Sequence, residues 1–113
     1  MNIESLRELA LAFPHATEEI KWDTNLCFMV FDKIFLIVNV NTVPTRCSFK
    51  VEKENFEEVA AQDNFKQAPY LARGQWVMLD DISLLNENEF KLYINTSFEL
   101  IKSKLPKKLQ TQL

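Results

Sequence analysis

His15 is the only histidine in the chain, and it follows Pro14 in a turn with no Ser or Cys motif beside it. A general base must sit within hydrogen-bond reach of the proton it takes, and the local sequence offers His15 no such partner. It reads as a solvated turn residue. Cys27 and Cys47 are far apart, and with one histidine they cannot complete a structural zinc site. Both fall in apolar, strand-like stretches, where a free cysteine behaves as a small hydrophobe. They read as buried thiols of a cytoplasmic protein rather than as a disulfide. Glu18-Glu19 and Asp80-Asp81 are acidic pairs of the kind that can bind a hard cation or share a proton. Adjacent residues on a strand point to opposite faces, so both pairs read as solvated. Gly74 is the only glycine, which leaves no phosphate-binding loop. These residues disfavour catalysis. The expectation is a non-enzymatic protein with no cofactor and no metal.

Basic residues on or beside strands remain. Arg46 and Lys50 share one face of a strand, Arg73 precedes Trp76, and Lys66 lies in the same connection. Arg and Lys on two strand-loop elements can touch a phosphate backbone. The competing reading pairs Arg46 and Lys50 with cross-strand carboxylates and makes Trp76 core. The net charge of −3 counts against non-specific nucleic-acid binding, which rests on positive charge. The late lysines, Lys102, Lys104, Lys107 and Lys108, suit the last turns of a helix, where cations complement the dipole.

These side chains need a frame, and the stretch from Asn25 to Val51 supplies it. Val, Ile and Phe dominate there, glycine is absent, and Asp32-Lys33 is the only polar break. β-Branched and aromatic residues suit a pleated, buried surface. The pattern predicts a hairpin with its tip at Asp32-Lys33 and Phe31 opposite Ile34. Strand alternation then groups Cys27, Met29, Phe31, Ile34, Leu36, Val38 and Val40 on one face. Leu26, Phe28, Val30, Phe35 and Ile37 fall on the other. Both faces are apolar, so both need cover, from the chain's own helices or from another molecule. The stretch Phe65–Leu71 is the candidate cover for the second face.

Around the hairpin, residues 2–13 read as a helix capped by Asn2, with Ile3, Leu6, Leu9, Ala10 and Phe13 in one stripe and Pro14 ending it. Residues 17–22 read as an edge strand and Arg46–Val51 as a third long strand. Glu52–Gln62 reads as a helix, Gln75–Leu79 as a strand after a turn at Gly74, and a further strand is open near Phe65. Asn86 and Glu89 have capping-box spacing for a last helix, with Phe90, Ile94, Phe98, Ile101 and Leu105 inward and Pro106 stopping it. The order is α-β-β-β-β-α-β-α. It predicts a single α+β domain over residues 1–113, a two-layer antiparallel meander flanked by helices. A chain of 113 residues can bury about two-thirds of its unfolded surface without staples. Glu4, Arg7 and Glu8 rule against a signal peptide, and no stretch approaches membrane-span length.

Several short segments in a fixed order carry a family resemblance: Phe13-Pro14, Trp22, Ile34–Val38, Ser48-Phe49-Lys50, Ala68-Pro69-Tyr70-Leu71, Gln75-Trp76-Val77, Ser97-Phe98 and Leu105-Pro106. On these the chain resembles the MmcQ/YjbR family of small bacterial proteins from its first helix to its last. The resemblance implies a fold like that of secretion chaperones and the frataxin homologue CyaY. It also implies DNA binding through a double-wing motif, with no catalytic residues. Lys50 falls at the family's Ser-Leu-Lys position; Arg46, Lys66 and Arg73 are chosen on their chemistry. Two functions follow as expectations. One is binding of double-stranded DNA through Arg46, Lys50, Lys66 and Arg73. The other is a protein-interaction module whose apolar sheet face takes a protein partner or a second copy in a homodimer.

Overall fold

The computed structural model describes residues 1–113 as a two-layer α+β domain. Helix α1 (Ile3–Leu11) opens the chain. Its Asn2 side chain accepts from the Ser5 N–H while the Ser5 hydroxyl takes the Asn2 N–H, so the capping box is Asn–Ser. Strands β1 (Ala16–Lys21), β2 (Asn25–Val30), β3 (Lys33–Asn39) and β4 (Arg46–Lys50) form an antiparallel meander. A short helix α2 (Phe56–Ala60) follows one 3-10 turn. The chain then makes the edge strand β5 (Phe65–Gln67), and β6 (Trp76–Leu79) returns between it and β4. The sheet order is β1-β2-β3-β4-β6-β5. Helix α3 (Glu87–Lys102) starts on the Asn86–Glu89 capping box, and a last turn of helix, α4 (Lys107–Gln110), follows Pro106.

All the helices lie on one side of the sheet. The main core there joins Leu6 and Ala10 of α1, Val59 of α2, and Phe90, Ile94 and Phe98 of α3 to Phe28, Val38, Phe49 and Val77. No helix is long and apolar enough to cross a membrane. On the other side, Cys27, Ile37, Ala68 and Trp76 form a small second cluster, against which Ile34, Met78 and, from the end of α3, Ile101 pack.

The hairpin departs from the expected register. Val30 pairs with Lys33, so Phe31 and Asp32 are the two loop residues, both left-handed at φ 45° and 65°. This matches a two-residue turn that needs positive φ at both positions. Asp tolerates that conformation; Phe31 is carried into it with its ring stacked on His15, centroids 5.2 Å apart. A bulge between Phe28/Met29 and Ile34/Leu36 then leaves Phe35 as the extra residue. Phe35 and Leu36 consequently both reach the helix-side core, where Phe35 meets Phe13 and Phe98 edge-on. The helix-facing set is Leu26, Phe28, Val30, Phe35, Leu36 and Val38, and the open face carries Cys27, Met29 and Ile37. The expected grouping holds for β2 and for Phe35, but Leu36 and Val38 exchange sides with Ile37, because simple alternation fails wherever a bulge adds a residue.

Ser97 repairs the ladder at that bulge. Its hydroxyl donates to the Phe35 carbonyl at 2.7 Å and accepts from the Lys50 N–H at 3.0 Å. A fully buried hydroxyl thus stands where a strand-to-strand hydrogen bond is missing, and neither backbone group is left unpaired.

Candidate nucleic-acid interface on the open sheet face

The register assigns side chains to the open face. Glu19, Cys27, Ile37, Ser48, Met78 and Lys66 form one row across all the strands, and Lys21, Asn25, Asn39 and Arg46 form the next. Lys50 and Trp76 form a third. Arg46, Lys50 and Lys66 are therefore on one face, as the strand reading requires. Arg46 and Lys50 sit on either side of Ser48, about 13 Å apart along the strand.

The environments of these residues differ. Arg46 is exposed and has no carboxylate within ion-pairing distance. Lys66 pairs with Asp80 at 3.5 Å, and that ammonium is the nearest cation to an Asp80 Oδ1 otherwise shut from solvent. Lys50 is only 6% exposed and donates to the Gly74 carbonyl at 2.5 Å. Burial, and next the neighbouring Lys104 ammonium, hold Lys50 below the usual lysine range. Arg73 stands on an exposed turn outside the strands, where its carbonyl accepts from Gln75. The structure brings Arg46 and Lys66 to the exposed face. It turns Lys50 inward and places Arg73 at the margin. No cross-strand ion pair ties Arg46 or Lys50, and Trp76 is core.

Glu18 and Glu19 divide between the two faces as strand alternation demands, and the expectation that both acidic pairs are simply solvated fails, since Glu18 is held by Arg7 and the Asp80 Oδ1 is shut from solvent. Glu18 turns to the helix side, where Arg7 grips it with contacts of 2.6 to 2.9 Å, and Glu19 stays on the open face beside Lys21 at 3.5 Å. Asp81 caps Ser83 while Asp80 meets Lys66. No three His, Cys, Asp or Glu side chains converge on a point.

Two loops border the open face. The β1–β2 loop holds Trp22 and Asp23 in the left-handed region, at φ 52° and 65°. The connection from Ala68 to Trp76 is closed by the Ala68 N–H on the Trp76 carbonyl at 3.0 Å, with Tyr70 left-handed at φ 66°. Ala68 reaches under the sheet to Cys27 and Ile37, so this stretch covers part of the open face and not the Leu26, Phe28, Val30 and Phe35 side expected for it, which the helices cover. What it leaves is a groove of about 410 Å3 with Ile37, Ser48 and Met78 on its floor and Asn25, Trp22 and Tyr70 around it. Trp22 is 67% exposed and Tyr70 fully so.

A family model for YjbR matches residues 11–100. The chain belongs to the YjbR family. Two solved structures share the fold of this YjbR-family chain. A Deinococcus radiodurans protein with a DUF419 domain superposes with a TM-score of 0.86 at 21% identity, covering 98% of this chain and 86% of the other. A Pseudomonas syringae protein superposes with a TM-score of 0.74 at 16% identity, covering 89% of this chain and 99% of the other. No curated protein matches the sequence.

Trp22 and Tyr70 were legible in the sequence as family landmarks but not as site residues. Nothing in their neighbourhood marks bulky aromatics for left-handed turns that leave their rings in solvent. Ser97 was equally silent, because its role depends on strand and helix meeting across the bulge.

Proposed function

We propose that this YjbR-family protein is a non-enzymatic DNA-binding protein whose open sheet face meets the phosphate backbone. The observation that carries the reading is charge placement. On a chain of net charge −3, that face sets Lys21, Arg46 and Lys66 against Glu19 and Asp80, with Asp23 on the bordering β1–β2 loop. Arg46 is the cation free to meet a phosphate directly, and Arg73 adds reach from the margin. The family resemblance supports the same reading. Few contacts mean weak, salt-sensitive binding, with log affinity falling against log salt by roughly 0.9 per neutralised phosphate on duplex DNA.

The test is fluorescence anisotropy of labelled DNA across a salt series. Binding at low salt that weakens on Arg46→Glu, with a shallower salt slope, is the expected result. Absence of binding to any DNA at low salt overturns the reading.

A further inference from the structure

Backbone contacts alone leave the aromatic rim of the groove without a role. Trp22 and Tyr70 project from opposite borders of one groove, one 67% exposed and one fully exposed. Each sits in a left-handed backbone conformation uncommon for bulky residues. Between them the floor is apolar, with Ile37 and Met78, and carries the Ser48 hydroxyl with the Asn25 amide beside it. Arg46 stands two residues from Ser48 on the same face, and Lys66 flanks Met78. A volume of about 410 Å3 lies within the range of small-ligand sites.

We infer that the groove binds single-stranded nucleic acid, with bases stacked on Trp22 and Tyr70, their edges toward Asn25 and Ser48, and phosphates on Arg46 and Lys66. This rests on the DNA-binding reading above and names the form of nucleic acid that the site takes. Charge complementarity selects the occupant. The face combines a local cation excess with exposed π-surfaces, and a nucleic-acid single strand offers both anions and unstacked rings. In a duplex the bases are stacked on one another, so the two aromatics would gain nothing, while few free cations remain for the backbone. Stacking contributes about 1–3 kcal/mol per base without requiring net positive charge, which suits an acidic protein.

The experiment compares a labelled oligothymidylate with a duplex of equal length by anisotropy at low salt. The variants are Trp22→Asn, Tyr70→Asn, Trp22→Phe and Arg46→Glu. Asn removes the ring yet tolerates the left-handed backbone, so the Asn variants keep their thermal midpoint. The single strand binds more tightly than the duplex and quenches tryptophan fluorescence. Each Asn variant weakens single-strand binding by roughly 5- to 150-fold, the equivalent of one lost stack. Trp22→Phe retains most of the affinity. Equal or tighter duplex binding overturns the inference and leaves the DNA reading standing. So does an unchanged single-strand affinity in both Asn variants when Arg46→Glu still weakens it. No binding of either form removes the DNA reading itself. A concentration-dependent dimer that dissociates on Trp22→Asn, with no nucleic acid bound, assigns the groove to a second copy and overturns both.

Discussion

At the scale of single residues, burial decides which ionisable groups are available. Cys47 is buried within the sheet, and desolvation pushes its thiol up to about 12 from 9.0. Cys27 is raised as well, by burial first. The thiolate is the reactive form, so neither thiol labels rapidly in the native protein at pH 8; unfolding in urea restores ordinary rates. A thiol-reagent time course checks this. The same shift sets a pH window. Between about 9 and about 12 the unfolded Cys47 loses its proton while the folded one keeps it. The folded state then holds more protons, so the contribution of Cys47 to stability falls as pH rises through that window. Cys47→Ala flattens this decline in urea titrations at pH 9 and above. Lys50 gives a second residue-level prediction. Its ammonium is turned to Gly74 and shielded from the open face, so Lys50→Met leaves DNA affinity within about twofold, well under the tenfold that 1.4 kcal/mol represents. A loss as large as that of Arg46→Glu would put Lys50 back among the phosphate contacts.

At the scale of elements, the bulge in β3 and the helix α3 depend on each other. The bulge turns Phe35 toward Phe13 and Phe98 and leaves its carbonyl without a ladder partner, and Ser97 fills the gap from α3. Ser97→Ala strands the buried Phe35 carbonyl and the Lys50 N–H, an expected loss of about 1–3 kcal/mol. Urea denaturation measures it; a loss below about 0.5 kcal/mol, the low end for an ordinary hydrogen bond, would mean that water replaces the hydroxyl. The capping boxes at Asn2 and Asn86 were readable or partly so, because their chemistry lies within one turn of helix. The bulge was not readable. One additional residue in a run of Ile, Phe, Leu, Ile and Val changes no composition and no local propensity. It is set by how Phe13, Phe98 and Ser97 pack from other parts of the chain.

At the scale of the whole molecule, sheet register sorts an acidic chain into unlike faces. Total charge is therefore a poor guide to local binding, and exposed charges more than about 10 Å apart are largely screened from one another at 0.1 M salt. Arg46→Glu and Lys91→Glu change net charge equally, but Lys91 lies on α3, on the far layer, beside Glu87. Arg46→Glu weakens DNA binding about tenfold or more, as expected for reversing a direct contact, whereas Lys91→Glu leaves it nearly unchanged. Equal losses would mean that long-range charge rather than the open face governs association. By itself the sequence determined the α+β class, the inward stripes of the first and last helices, the buried thiols and the placement of Arg46 and Lys50 on one side of their strand. Those follow from periodicity, which is a local property of the chain. Only the tertiary structure decided that Lys50 is shielded, that Lys66 meets Asp80, and that Trp22 and Tyr70 line one groove. These depend on which distant segments meet, and that is fixed by packing and register between strands, not by the run of residues within any one of them.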